Sequence, residues 1–192
     1  VDLTRLPSPL SWLDLGHNKF TGSLDLTRLP SQLSKLLLYA NQFNGTLDLT
    51  QLPSQLQYVY LYTNNFSGAV DLTKLPSQLL YLDLDTNQFS GPLQLMSLPS
   101  QLSYLNVSIN QFSGSVDLTH LETASELLYL DLSINQFSGA VNLTRLPEFL
   151  EVVNLFGNRF CGTTTADVRC SNLHLDGNCE CHNNVVTCPA CG

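Results

Sequence analysis

Leu33-Ser-Lys-Leu36-Leu-Leu38-Tyr-Ala-Asn41-Gln-Phe43-Asn-Gly45 is the stretch that decides the fold, because the chain repeats its frame from end to end. The same L-x-x-L-x-L-x-x-N-x-F-x-G pattern surrounds Asn18, Asn64, Asn87, Asn110, Asn135 and Asn158. Consecutive asparagines stand 23 residues apart, except for 25 between Asn110 and Asn135. Each unit closes on a second apolar alternation and a proline, as in Leu47-Asp-Leu49-Thr-x-Leu52-Pro53, and a shortened unit, Leu173-His-Leu175-Asp-Gly-Asn178, comes last. Self-similarity at a fixed period of this size marks a solenoid, in which one coil per repeat buries its apolar side only against its neighbours.

Identical coils put identical residues in rows. The L-x-L segments alternate with period 2, so their leucines point inward and the residues between them face out from a parallel sheet. Phe20, Phe43, Phe66, Phe89, Phe112, Phe137 and Phe160 are expected as an internal spine. The asparagines are expected as a buried ladder that satisfies loop backbone. The second alternation, as in Val70-Asp-Leu72-Thr and Val116-Asp-Leu118-Thr, predicts a short side strand. Its outward column is Asp2, Asp25, Asp48, Asp71, Gln94, Asp117 and Asn142, with a column of mostly basic or polar residues (Arg5, Arg28, Lys74, Arg145 among them) beside it to offset repulsion. One carboxylate per coil makes a poor calcium cage. Leu121-Glu-Thr-Ala-Ser-Glu, two residues longer than its counterparts, predicts a short helical turn on the convex side.

Of the 192 residues, 43% are apolar and only 12% charged, with a formal net charge of −8. That balance repels nucleic acid and anionic membrane surfaces. No apolar run approaches the roughly 18 to 20 residues that span a bilayer, so direct membrane insertion is not expected. The N-terminus lacks the pattern of a signal peptide and reads as a mature or excised segment. All six cysteines, Cys161, Cys170, Cys179, Cys181, Cys188 and Cys191, cluster near the C-terminus. They divide the chain into repeats at 1–160, the first unit incomplete, and a disulfide-rich cap at 161–192. Six cysteines allow 15 pairings, of which a Cys179–Cys181 bond is disfavoured by geometry. Zinc held by Cys179-x-Cys181 and Cys188-x-x-Cys191, with His174 and His182 nearby, is the rival reading. The even cysteine count and four glycosylation sequons, at Asn44, Asn65, Asn106 and Asn142, speak for oxidation and for no metal.

Up to about residue 178 the chain resembles extracellular leucine-rich-repeat proteins. The N-x-F-x-G-x-(L/V) continuation is similar to plant-type repeats, and the closing Asp-Leu-Thr-x-Leu-Pro is similar to surface antigens of kinetoplastid protists. The likeness implies a mainly β, curved leucine-rich-repeat solenoid with a parallel concave sheet, a second short side-strand sheet and few or short helical turns. It also implies a location outside the cell or at its surface, free or lipid-anchored. Such proteins normally begin with an N-terminal cap, whereas this chain opens in mid-repeat.

The outward positions of the concave sheet are the candidate binding residues. One column is Trp12, Lys35, Tyr58, Tyr81, Tyr104, Tyr129 and Val152. The next is Asp14, Leu37, Tyr60, Asp83, Asn106, Asp131, Asn154 and His174, and the third is Gly16, Tyr39, Tyr62, Asp85, Ser108, Ser133 and Phe156. Every tyrosine and the single tryptophan fall here. Such residues combine large contact area, low entropic cost and a hydrogen-bonding tip, though stacking along a sheet is their plain structural use. The predicted ligand site is Trp12, Asp14, Tyr39, Tyr58, Tyr60, Tyr62, Tyr81, Asp83, Asp85, Tyr104 and Tyr129, for a peptide, protein or glycan; a glycan on Asn106 would project from its middle. No nucleophile with a base, no phosphate-cradling glycines and no cofactor motif stands out, so catalysis and cofactors are not expected. The competing reading is a glycosylated coat or filament subunit that self-associates head to tail through the uncapped first coil at Val1-Thr4.

Overall fold

The computed structural model describes residues 1–165, 170–175, 179–182 and 185–188. Successive L-x-L segments pair in parallel into one eight-stranded sheet. It runs from Trp12–Asp14 through Lys35–Leu37, Tyr58–Tyr60, Tyr81–Asp83, Tyr104–Asn106, Tyr129–Asp131 and Val152–Asn154 to Leu173–His174. The register is one repeat per step, so Trp12, Lys35, Tyr58, Tyr81, Tyr104, Tyr129 and Val152 lie side by side, as do Asp14, Leu37, Tyr60, Asp83, Asn106, Asp131, Asn154 and His174. The residues between these two columns, Leu36, Val59, Leu82, Leu105, Leu130 and Val153, are fully buried, which is the alternation a one-sided sheet requires.

Inside, the phenylalanines form a continuous spine. Consecutive rings from Phe20 to Phe160 stack with centroids 6.0 to 6.3 Å apart. The asparagine ladder stands next to it. Asn87 donates from Nδ2 to the carbonyls of Leu61, Leu84 and Asp85 and accepts at Oδ1 from the Phe66 N–H, so one side chain ties two coils together. Asn41, Asn64, Asn110 and Asn135 repeat the arrangement.

The side sheet exists but not where the alternation placed it. Its strands are Thr21–Gly22, Gln42–Gly45, Asn65–Gly68, Gln88–Gly91, Gln111–Gly114, Gln136–Ala140 and Arg159–Cys161, straight after each asparagine. The Val70-Asp-Leu72-Thr type of segment forms turns instead. Asp71 Oδ1 takes both the Thr73 N–H at 2.8 Å and the Thr73 hydroxyl at 2.6 Å, and the same pair recurs at Asp2, Asp25, Asp48, Asp117 and, with an amide, Asn142. A side chain that captures its own backbone two residues on competes successfully with a ladder. These hydrogen bonds also hold Asp25, Asp48 and Asp71 below the usual carboxylate range, with the nearby Arg28 or Lys74 charge adding less. Between the acidic and basic columns, Arg5 and Asp2 are the ion pair, at 3.9 Å.

The long coil folds its insertion into the 3-10 turn Leu121–Thr123, which drives Leu121 and Ala124 into the core. Beyond the repeats, Thr163–Thr165, Val185–Thr187 and Glu180–His182 form an antiparallel three-stranded sheet. Cys179 is bonded to Cys188, which removes a thiol from each half of the set that zinc would use, and Cys161 and Cys181 are disulfide-bonded as well. Cys191 lies outside the described residues. Among the described residues no helix is long and apolar enough to cross a membrane.

The residue before each ladder asparagine is left-handed. His17, Ala40, Thr63, Thr86, Ile109 and Ile134 all have φ between 49 and 56°, and the equivalent position of the next coil is Gly157 with φ 71°. A β-branched residue is strained there, and Ile134 is 45% exposed, so its side chain recovers little by burial. Ile134→Gly is therefore expected to stabilise the protein by about 1 kcal/mol, the strain relieved exceeding the entropy that glycine adds to the unfolded chain. A lower urea midpoint for the variant than for the wild type would show that the left-handed turn is not strained.

Candidate functional site

The concave sheet brings together all of the sequence-predicted binding residues on one surface. Trp12 and Asp14 lie at its start and are exposed, whereas the tyrosines are half-buried, because each ring leans on its neighbours. Tyr60, Tyr81, Tyr104 and Tyr129 form one stack, with centroids 4.5, 4.0 and 4.5 Å apart and the last two pairs within 4° of parallel. Tyr39 stacks on Tyr62 at 4.8 Å, seated over Gly16, where a Cβ would lie 2.5 Å from the ring. Tyr58 belongs to a different group: the Lys35 ammonium sits 5.1 Å from its ring centre and 5.2 Å from that of Trp12. The plain structural use of the aromatics is thus real, and it shapes what they offer. Stacked rings cover one another's faces and leave their edges and hydroxyls as the surface they present.

Polar groups between the rings are fixed with care. The Tyr129 hydroxyl and the Asn154 amide both donate to Asp131 Oδ2, at 3.0 and 2.9 Å, while Asp131 Oδ1 accepts the Ser133 N–H. Asp85 is held by the hydroxyls of Ser108 at 2.8 Å and Thr86 at 2.9 Å. Asp83 differs. It is only 7% exposed, and among the described residues its one hydrogen bond comes from the Asp85 N–H to Oδ1 at 3.1 Å. Burial, with the like charges of Asp85 and Asp131 nearby, pushes its carboxyl up to about 6. Burial also raises the phenols of Tyr60, Tyr62 and Tyr104. It raises those of Tyr81 and Tyr129 further still, Tyr81 by donating to Tyr104 and Tyr129 through Asp131, so the row is neutral at physiological pH.

Lys35, Asp131 and Ser108 join the site without having been singled out in the sequence. Their column positions were the available signal. The sequon asparagines separate into two kinds. Asn44, Asn65 and Asn142 are exposed and stand outside the concave sheet. Asn106 lies within it at 9% exposure, its Oδ1 accepting the Ser108 N–H and its Nδ2 3.5 Å from the Tyr104 hydroxyl, so it does not project as expected.

No protein-family model and no curated protein sequence matches the chain significantly. Solved structures do. PEPR1-AtPEP1 is 25% identical with a TM-score of 0.63, over 78% of this chain and 25% of that one. A plant ice-binding protein is 27% identical with a TM-score of 0.61, over 81% and 51%. The Arabidopsis receptor kinase HAESA, in complex with the peptide hormone IDA and the co-receptor SERK1, is 27% identical with a TM-score of 0.60, over 80% and 30%. The chain spans between a quarter and about half the length of these proteins. Seven in-register coils, a concave parallel sheet, the side strands and these likenesses together make the fold a leucine-rich-repeat solenoid of the plant type.

Proposed function

We propose that the chain is a non-catalytic recognition module, located outside the cell or at its surface, that binds a peptide or an extended protein segment on its concave face. The observation that carries this reading is the continuous tyrosine row with its fixed carboxylates, a pre-organised surface of hydroxyls, ring edges and acceptors on a rigid sheet. Rigidity lowers the ordering cost of binding. Open ring faces, which a sugar would stack on, are largely consumed by the rings themselves, and this favours a peptide over a glycan. One of the similar structures, HAESA, is in complex with a peptide hormone, which supports the same use of the fold here. The disulfides, the exposed sequons at Asn44, Asn65 and Asn142, and the likeness of the Asp-Leu-Thr-x-Leu-Pro closure to protist surface repeats support the location.

A random dodecapeptide library displayed on phage supplies the test. Captured peptides are expected to lose roughly tenfold or more in affinity when Tyr58 and Tyr60 are both changed to alanine, with the cooperative urea unfolding transition retained, and to keep it when the side-sheet residue Gln88 is changed to alanine. Equal capture by the wild type and the tyrosine variant would remove the concave face as the binding surface.

A further inference from the structure

The centre of the concave face holds a carboxylate that no cationic side chain among the described residues pairs with. Asp83 is buried, yet among the described residues its Oδ2 accepts no hydrogen bond. The ion pairs among those residues are Arg5–Asp2, Arg145–Glu122 and His182–Glu180, all away from Asp83, Asp85 and Asp131. A buried carboxylate without a cation is costly, and the repeat has a neutral alternative that makes the same turn. At the equivalent register, Asn106 Oδ1 accepts the Ser108 N–H at 3.0 Å and Asn154 Oδ1 accepts the Phe156 N–H at 3.2 Å. Aspartate at position 83 therefore adds nothing to the fold that asparagine would not supply. What it adds is an open acceptor carrying negative charge, in register with Tyr60 on the adjoining strand and two residues from both Tyr81 and Asp85.

The same face shows what such a place accepts. In the neighbouring column Lys35 lays its ammonium 5.1 and 5.2 Å from two ring centres, so an aromatic-lined position on this sheet already seats a cation from the chain itself. Two strand spacings separate Asp83 from Asp131, about 9.6 Å, too far to share one metal ion whose oxygen ligands must lie within about 2.6 Å. An extended organic cation has the reach, and a guanidinium offers several donors in a plane to Asp83 and Asp85 together.

On the reading that this face binds a peptide, we infer that the ligand carries an arginine or lysine whose cationic head docks on Asp83 and Asp85. Charge complementarity commits the site to a basic peptide: its other carboxylates, Asp14 and Asp131, leave Lys35 as the lone ammonium among the strand residues of the sheet.

The library-selected dodecapeptides are the probe. Captured sequences are expected to be enriched in arginine or lysine at one position. Replacing that residue with citrulline, which keeps the shape and removes the charge, is expected to weaken binding about tenfold or more. Asp83→Asn and Asp85→Asn should weaken the arginine peptide by a similar factor and leave the citrulline peptide unchanged, so that the losses are not additive. Asp83→Asn retains the backbone acceptor and is expected to fold at least as well as the wild type, and Asp85→Asn is a second variant should it not. Peptides that depend on Tyr58 and Tyr60 yet bind equally as arginine and citrulline forms would overturn the cationic seat and leave concave recognition standing. Peptides indifferent to both sets of substitutions, or no captured peptide at all, would overturn both.

Discussion

Asn87→Ala is expected to cost about 4 kcal/mol of stability and to lower the unfolding midpoint by roughly 8 to 16 °C. Removing the amide leaves the Phe66 N–H and the carbonyls of Leu61, Leu84 and Asp85 short of partners in a largely buried site. Orphaned buried groups are penalised far more heavily than an exposed hydrogen bond is worth. Asn18→Ala provides the internal comparison. Asn18 donates to the Leu15 and Gly16 carbonyls in the same geometry, but it is exposed, and its loss is expected to cost about 1 kcal/mol or less. Thermal unfolding of the two variants side by side decides the matter, and equal losses would mean that burial is not what gives the ladder its strength.

The second large effect has the opposite sign. Asp83→Asn is expected to stabilise the protein by about 3 kcal/mol at pH 7.5 and to change little at pH 4. The carboxyl of Asp83 is raised from 3.8 to about 6, and each tenfold gain in proton affinity on folding corresponds to about 1.4 kcal/mol. A raised acid binds its proton more tightly in the folded state than in the unfolded one. Stability from this group is therefore greatest below the ordinary carboxylate range and is lost as pH rises through about 6. Burial raises it most, the Asp85 N–H hydrogen bond opposes that, the charges of Asp85 and Asp131 add to the rise, and the nearby phenols of Tyr60, Tyr62, Tyr81 and Tyr104 are uncharged over this range. The exposed aspartates of the turns are lowered instead, and their contribution grows with pH. For this reason the informative quantity is the difference between variant and wild type, measured by urea unfolding from pH 4 to 8. A difference that stays flat across that range would show Asp83 to be an ordinary solvated carboxylate.

Stability gained on neutralising a side chain that is also expected to hold the ligand is the signature of a binding site built at the expense of the fold. It separates Asp83 from Asp131, which lies in the same column with its oxygens fully engaged by Tyr129, Asn154 and Ser133. The sequence showed both residues in that column and could not tell them apart. Their difference depends on which partners stand one strand away: Asn154 lies next to Asp131, whereas Tyr60 and Asn106 flank Asp83 and offer it no hydrogen bond.

The rows themselves were readable because a 23-residue step, broken by one step of 25, leaves only one way to superpose coils. The framework leucines, phenylalanines and asparagines of the central coils landed where that step puts them, whereas Asn18 in the opening coil is exposed and Asn178 lies outside the described residues. The side strand was misplaced because period-2 alternation is satisfied equally by a strand and by an Asp-x-Thr turn that buries the residue between, as Leu72 is buried between Asp71 and Thr73. Only three-dimensional competition between the aspartate side chain and a neighbouring backbone decides. The tyrosines were placed correctly on the concave face, but their ring-on-ring packing follows from rotamers that no column assignment contains.

Four phenols within van der Waals reach of one another also form an optical array. Tyr60, Tyr81, Tyr104 and Tyr129 are close enough for their excited states to couple, so the near-ultraviolet dichroism of the folded chain reports on the alignment of its central coils. The lone indole of Trp12, in the opening coil, emits separately from that array. Loosening at the start of the solenoid and slippage in its middle thus carry different spectroscopic labels without any dye being attached.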